Sequence, residues 1–212
     1  MRFECHSTFY PKPFEPSHYI RTGEIDVFCH TAGDQDTVAA RLAVDYLDIT
    51  RAESEGQSIL YVCDSDSAAW MQVYEATIEP DINFAGIRED FGFDDPIHGL
   101  VFIHGAVFHR DLLPWRRFII DSVCRLFPED TATVMWKHAT DLESKELASL
   151  GFRIIAGSEL LFRPNMLENG YSALADPRDP LDLIVAEDAQ DHVDQQWSDL
   201  DDSDSSHFID EE

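Results

Sequence analysis

Basic residues are scarce in this chain of 212 residues: 15 Lys and Arg stand against 42 Asp and Glu, a formal net charge of -27. Binding to nucleic acid phosphates or to anionic membranes depends on basic side chains, so the composition predicts that neither is a direct partner. The same charge favours basic proteins, cationic small molecules or metal cations as ligands.

Long apolar runs and cysteine pairs are also missing. The run from Leu100 to Val107 is far shorter than the roughly 20 residues that a membrane-spanning helix needs, and the N-terminus lacks the apolar stretch of a secretory signal. Four scattered cysteines form no Cys-x-x-Cys pair, and the spacing of cysteines and histidines predicts no metal site. We therefore expect a cytoplasmic protein with reduced thiols.

The acidity is uneven along the chain and indicates its organisation. Residues 176–212 contain fourteen acidic residues and one basic residue. Such a segment buries too little apolar surface to offset its ordering entropy, so we predict disorder from about Asp188, although Leu181–Val185 is apolar enough to dock. The chain is thus divided into an extended lead-in (1–23), a globular domain (24–175) and an acidic, largely disordered tail (176–212).

Within the domain, apolar spacing predicts alternating strands and helices. Strands are predicted at residues 24–30, 58–63, 99–108 and 131–136, and residues 152–162 are predicted to form a strand or a strand pair with a turn or bulge at Gly157. Helices are predicted after Asp34 or Asp36, at Pro114, and after a capping box at Thr140–Glu143, whereas residues 68–78 suit either structure. This alternation predicts an α/β or α+β class with a central mixed sheet flanked by helices.

The second half of the domain resembles a known family. An apolar strand at 99–108, a helix opened by proline and another strand lead to Glu146–Arg153, whose sequence is Glu-Leu-Ala-Ser-Leu-Gly-Phe-Arg. This order, with a short helix ending in Leu-Gly-Phe before a strand, is similar to the GNAT acetyltransferases over residues 98–163. The resemblance implies transfer of an acetyl group from acetyl-CoA to an amine, and the acidic chain favours a cationic small molecule or a basic protein as acceptor.

The resemblance also implies a donor site. In the family, the backbone of a bulged central strand receives the pantetheine arm, and a Gly-rich turn before a helix binds the pyrophosphate. The corresponding positions here are Val107, Phe108, His109, Arg110, Arg116, Arg117 and Thr140. Leu113 and Trp115 stand where the family has glycines, and Leu147 stands where it often has a general-acid tyrosine.

Two assignments have alternatives that the sequence leaves open. Arg116 and Arg117 are either phosphate ligands at a helix start or partners in surface ion pairs. His104 is either the catalytic base that deprotonates the amine or a core histidine with a satisfied hydrogen bond.

The missing glycines and tyrosine motivate a second hypothesis of a different class. A GNAT-like fold that has lost catalysis would be an acidic binding module for a basic protein, in the extreme case through imitation of a nucleic acid. Its binding would weaken steeply with salt.

Overall fold

The computed structural model describes residues 1–8, 15, 18–80, 85–88, 91, 96–165 and 183–205. The strands in these residues are β1 Arg2–Thr8, β2 Ile20–Thr31, β3 Asp36–Asp48, β4 Ile78–Pro80, β5 Ala85–Ile87, β6 Gly99–Phe108, β7 Thr131–Trp136, β8 Arg153–Ile154, β9 Leu160–Pro164 and β10 Ile184–Val185. The α-helices are α1 Ile49–Ser54, α2 Ile59–Asp66, α3 Ala68–Thr77, α4 Arg116–Cys124, α5 Ser144–Ser149 and α6 Ala189–Ser205, and a 3-10 helix spans Arg110–Trp115.

In the described part of the chain, eight strands form one mixed sheet. Its order is β1-β2-β3-β6-β7-β9-β8, with β10 beside β2. The β6–β7 and β2–β10 pairs are parallel and the other pairs are antiparallel. The predicted α/β class with a central mixed sheet flanked by helices is confirmed.

Alternating residues of β6 face opposite sides of the sheet and divide the core in two. Val101 and Ile103 pack on the side of α4 and α5. Leu100 and Phe102 pack on the side of α1, α2 and α3. The sheet is therefore a central layer between two helical layers, which explains why β6 is nearly continuously apolar.

The predicted helix after Asp34 or Asp36 is wrong, because these residues form β3 between β2 and β6. The apolar residues at 38, 40, 42, 44 and 46 fit a period of two as well as the helical spacing of four. A turn over Thr31–Gln35, in which Asp34 has a left-handed φ of 58°, folds β3 back onto β2 and selects the strand.

The predicted strand at 58–63 is also wrong, because α2 covers most of it. Ser58 caps this helix through its hydroxyl, and Ser67 caps α3, which covers the ambiguous segment 68–78, in the same way. A short apolar run does not distinguish a buried strand from a buried helix face, so the caps were the better signal.

The helices that follow β6 and β7 begin later than predicted. Pro114 lies inside the 3-10 helix, and α4 begins at Arg116. The capping box of α5 is formed by Glu143 and Glu146 rather than by Thr140 and Glu143. The connection after β7 is consequently longer than predicted, and it lies at the edge of the predicted site.

The described residues of the N-terminal lead-in belong to the sheet. Residues 2–8 form β1, which pairs with β2 over its whole length, and β2 itself begins at Ile20 rather than Glu24. The apolar residues of β1 are sparse because it is an edge strand with one open side.

The disorder predicted from about Asp188 is wrong for the described residues of the tail. α6 begins at Ala189 and packs on the sheet, with Ala189 and Val193 completely buried. The docking expected for Leu181–Val185 is found for Ile184 and Val185, which pair with β2. Residues 206–212 lie outside the described residues.

Candidate functional site

Strands β6 and β7 run side by side and then part. Parallel pairing joins residues 99–103 of β6 to residues 131–135 of β7. β6 continues along β3 to Phe108, whereas β7 ends one residue beyond the pairing. Within the described residues, the edge of residues 104–108 that would face β7 therefore has no strand beside it.

A β-bulge lies at the point of parting. Ala43 of β3 pairs with Gly105, and the next residue, Val44, pairs with Ile103. His104 is therefore the extra residue of the bulge, which changes the direction of its side chain. The family resemblance implies a bulge in this strand, and β6 has one.

An open cleft of about 580 Å³ lies where the strands part. His104, Gly105 and Val107 line it on the β6 side, and His138 and Asp141 line it on the side that follows β7. A Cβ atom placed on Gly105 would meet nothing within 4 Å, so the space beside this residue is open. Leu113 and Trp115, the residues that replace the glycines of the family, are not among the lining residues.

The cleft opens between two helical elements on one face of the sheet. Arg41, Ala43 and Asp45 share this face because strand residues alternate. Arg41 contacts Asp194 of α6, Asp45 contacts Trp70 of α3, and Ala43 between them lines the cleft. Of these two helical elements, α6 contributes residues to the lining of the cleft, namely Gln196, Trp197, Asp199 and Leu200.

His104 faces a carboxylate that is itself held in place. Its Nε2 lies 3.6 Å from Oδ1 of Asp45, too long for a hydrogen bond but close enough for charge attraction. Trp70 Nε1 donates to Oδ2 of Asp45 at 3.2 Å. The side chain of Asp45 is 11% exposed and that of His104 is 36% exposed, so His104 is a cleft residue rather than a core histidine.

A second carboxyl group, Asp66 at the end of α2, lies near this pair. Burial, with the charge of Asp45 as a smaller cause, raises the pKa of Asp66 above its ordinary value. The cleft therefore has an imidazole, that of His104, with the carboxylate of Asp45 3.6 Å from its Nε2, and an imidazole is the side chain that most often acts as a general base.

Arg116 is engaged by backbone groups. Its Nε donates to the carbonyl of Leu113 at 3.1 Å, and its Nη1 donates to the carbonyls of Thr140 and Asp141 at 3.4 and 3.2 Å. These bonds hold the loop after β7 against the start of α4. The sequence did not predict this bracing role.

The other predicted phosphate ligands differ in their environment. Arg110 is exposed on the 3-10 helix, and Arg117 is half-buried on α4. Among the described residues, Nε of Arg117 and Oγ1 of the buried Thr140 have no hydrogen-bond partner. Arg110 and Arg117 are therefore the guanidinium groups that remain for an anion near the helix start.

The side chains at the end of β6 are used for packing. Val107 lines the cleft and also packs against Val193 of α6, and Phe108 joins the core beneath α4. His109 is buried and accepts a hydrogen bond at Nδ1 from the N–H of Asp111 at 3.4 Å. Burial lowers the pKa of His109 below its ordinary value. The N–H of His109 donates to the carbonyl of Ala39 at 2.8 Å, so among these residues the backbone that faces the open edge is that of Phe108.

The residues around the cleft fit the acyl-pantetheine arm of acetyl-CoA better than they fit its phosphates. The open edge of β6 suits an extended acyl-pantetheine arm, because an unpaired sheet edge binds extended chains through main-chain hydrogen bonds. The phosphates fit less well, since Arg116 is engaged, Pro114 lacks an N–H, and the described lining residues include no Lys or Arg.

Asp45, Trp70 and the whole of α6 are not among the site residues predicted from the sequence. A signal for α6 existed, because Ala189, Val193 and Trp197 recur every four residues in an otherwise polar segment. Asp45 gave a weaker signal as an acidic residue between apolar residues of β3. Nothing in the sequence links Trp70 to Asp45.

The fold and site define an α/β protein whose central strands part at a histidine-bearing cleft. No protein-family model, no curated protein and no solved structure matches the chain. No helix in the described part of the chain is long and apolar enough to cross a membrane. The function is therefore inferred from the geometry of the cleft.

Proposed function

We propose that this protein is a GNAT-like, cytoplasmic N-acetyltransferase that moves an acetyl group from acetyl-CoA to an amine. The proposal rests on one observation, which is that three structural features lie together at the same place. The pairing of β6 with β7 ends, the bulge occurs, and His104 meets the buried carboxylate of Asp45, all beside one open cleft.

Ala106 and Phe108, whose backbone N–H and C=O groups face the open edge of β6, would bind the donor. Acetyl-CoA supplies a thioester carbonyl that an amine can attack. Main-chain groups on the open edge of β6 can hold the extended arm of the donor, and such positioning lowers the entropic part of the barrier. N–H groups directed at the carbonyl oxygen stabilise the negative charge that develops there.

His104 would remove the proton that prevents the amine from attacking. Its Nε2 faces Asp45, so Nδ1 is the nitrogen available to accept this proton. Asp45 stabilises the resulting imidazolium, and Trp70 keeps Asp45 in place. His104 releases this first proton to water. As the carbon–nitrogen bond forms and the carbon–sulfur bond breaks, the nitrogen loses a second proton, which His104 accepts and passes to the leaving sulfur.

The charge of the cleft favours a cationic acceptor. Asp141 and Asp199 line it, and its described lining residues include no Lys or Arg. This field attracts polyamines or the lysine side chain of a basic protein. It also repels an anionic donor, so we expect weak affinity for acetyl-CoA, with Arg110 and Arg117 supplying the nearby positive charge.

The proposal is tested by acetyl transfer from acetyl-CoA to a polyamine and to a lysine peptide. We expect His104→Gln to lower kcat by about 10²-fold or more, the usual contribution of a general base. His30→Gln is the matched control, because His30 pairs with Asp36 at 3.0 Å and is not among the residues that line the cleft. Full activity of the His104 variant, or no acetyl-CoA binding by calorimetry at millimolar concentration, would contradict the proposal.

The position of the donor has its own test. Gly105→Val places a side chain into open space beside the bulge, so the fold should tolerate it while the donor arm is displaced. We expect an unchanged melting temperature and at least tenfold weaker acetyl-CoA binding. Unchanged binding would place the donor elsewhere.

A second candidate function follows from the engaged Arg116 and the acidic cleft. An acidic binding module without catalysis would bind a lysine-rich peptide with an affinity that falls steeply with salt and is indifferent to acetyl-CoA. Acetylation of that peptide would favour the enzyme, and salt-sensitive binding without acetylation would favour the module.

A further inference from the structure

α6 is an acidic helix with one narrow apolar stripe. Ala189, Val193 and Trp197 lie on the same side because they are four residues apart. Ala189 and Val193 are completely buried, whereas most side chains between them are exposed. The described side chains of α6 include Asp191 and Asp194 but no Lys or Arg. Few side chains therefore hold this helix on the sheet.

The chain just before α6 is fixed away from the cleft. The N–H of Ala186 donates to Oδ2 of Asp111 at 2.9 Å, and β10 continues the sheet beside β2. The ring of His192 lies edge-on to that of His109 at 5.3 Å. These contacts involve the first turn of α6 and the residues before it.

The middle of α6 rests on a small cluster. Val193 packs against Val38 and Val107, and Nη1 of Arg41 donates to Asp194 Oδ1 at 3.1 Å. The side chain of Asp194 is 48% exposed, so water screens this ion pair. Beyond its first turn the helix is thus attached through Val193, with Phe28 and the half-buried Trp197 packed against the same cluster.

The end of the described helix forms a wall of the cleft. Gln196, Trp197, Asp199 and Leu200 line it opposite Gly105 and the other β6 residues. The guanidinium of Arg41 lies 5.8 Å from the Trp197 ring, so this wall also covers a basic group.

We infer that α6 is a detachable cover that regulates access to the cleft. In the docked position it narrows the cleft and presents Asp199 to any anionic ligand. When α6 detaches, the cleft widens and Asp199 moves away from it. Arg41 then loses its hydrogen bond to Asp194 and keeps its hydrogen bond to Asp26. A ligand that needs the open form binds with an affinity reduced by the fraction of molecules that are open. The identity of that ligand as acetyl-CoA rests on the proposed function.

Two matched variants of the full chain separate docking from charge. Val193→Asp and Gln195→Asp each add one carboxylate to α6, but Val193 is buried and Gln195 is exposed. Hydrogen exchange of residues 189–200 should accelerate in the Val193 variant and stay unchanged in the Gln195 variant. If Val193→Asp leaves α6 docked, a chain that ends at Asp188 provides the open form.

Access to the cleft is measured without reference to activity. Gly105→Cys places a thiol in open space, and Cys5→Ser removes the exposed cysteine, leaving the three buried ones. We expect alkylation of the new thiol by a maleimide to be at least tenfold faster with α6 undocked than in the Gln195→Asp control. Equal rates with α6 undocked would overturn the inference.

Acetyl-CoA titrations of the two α6 variants, with Gly105 retained, complete the test. At least tenfold tighter binding to the undocked form supports regulation of the proposed site. If alkylation is faster with α6 undocked but no form binds acetyl-CoA, the inference that α6 controls access to the cleft stands and the proposed acetyltransferase function is refuted. Equal acetyl-CoA affinity of both forms would refute the regulation of donor binding by α6.

Discussion

Two helical covers lie on the same face of the sheet and differ in how they are attached. α1, α2 and α3 bury large side chains such as Trp70 and Phe102 in a broad core. α6 is attached through a cluster in which Val193 meets Val38 and Val107. One half of this face is thus covered by helices that share a large core, whereas the other half is covered by a helix with two completely buried side chains, Ala189 and Val193. The cleft lies at the boundary between them.

The largest effect is expected for the first cover. Trp70→Ala should lower the free energy of unfolding by about 3–5 kcal/mol, because it leaves a cavity in the core and removes the hydrogen-bond donor of Asp45. Trp197→Ala, in the second cover, should cost about 1 kcal/mol, because Trp197 is only half-buried. Urea denaturation measures both values, and similar costs would contradict the difference between the covers.

Removal of the second cover should have an intermediate effect. A chain that ends at Asp188 loses the burial of Val193, which is worth about 1.5–3 kcal/mol. The melting temperature should therefore fall by roughly 3–12 °C while the circular dichroism of the sheet persists. Failure of this chain to fold would show that α6 belongs to the core.

Acid should loosen the start of the second cover. Burial lowers the pKa of His109 below its ordinary value of 6.5, so the folded state binds fewer protons than the unfolded state below that pH. Stability is then complete above pH 6.5 and decreases as the pH falls, by at most about 1.4 kcal/mol per pH unit. Asp111, Asp188, Arg110 and His192 surround the ring and modify this effect.

Thermal denaturation between pH 7.5 and 5.5 measures the contribution of His109. His109→Gln should show a flatter pH dependence than the natural chain, because the titrating ring is gone. Identical slopes for the two proteins would show that other groups cause the acid effect.

The smallest effect concerns the ion pair of the second cover. Asp194→Asn removes a partly exposed partner of Arg41 and should cost about 0.2–1 kcal/mol. Hydrogen exchange of α6 in the natural chain should accelerate as salt is raised, and the variant should be less sensitive to salt. If the variant shows the same salt dependence as the natural chain, the ion pair between Arg41 and Asp194 does not help to hold α6 on the sheet.

Several elements could be predicted from local patterns, and the errors have physical causes. β6 was predicted because a strand buried on both faces leaves a nearly continuous apolar run, and β7 was predicted over the residues that form it, Thr131–Trp136. β3 was not predicted, since its apolar residues fit two periods and only pairing with β2 and β6 selects one. α6 was missed because disorder was predicted from the average composition of an acidic segment. That average does not show that Ala189, Val193 and Trp197 recur every four residues.

The site could be predicted in part. His104 and Val107 were chosen from their position in the central strand, and the structure places both beside the cleft. Asp45 and Trp70 lie on other elements, and only tertiary packing brings them to His104, so no local pattern contains them. The bracing of a loop by Arg116 likewise depends on a contact across 24 residues of sequence.

Hydrogen exchange with and without millimolar acetyl-CoA shows whether the open edge of β6 receives the donor. The N–H of His109 donates to Ala39 of β3, so alternation along the strand directs the N–H groups of Ala106 and Phe108 to the open edge. Acetyl-CoA should slow exchange at Ala106 and Phe108 and leave residues 99–103 unchanged, because their strand partners already protect them. Unchanged exchange at Ala106 and Phe108, or protection confined to another part of the chain, would contradict donor binding at this edge.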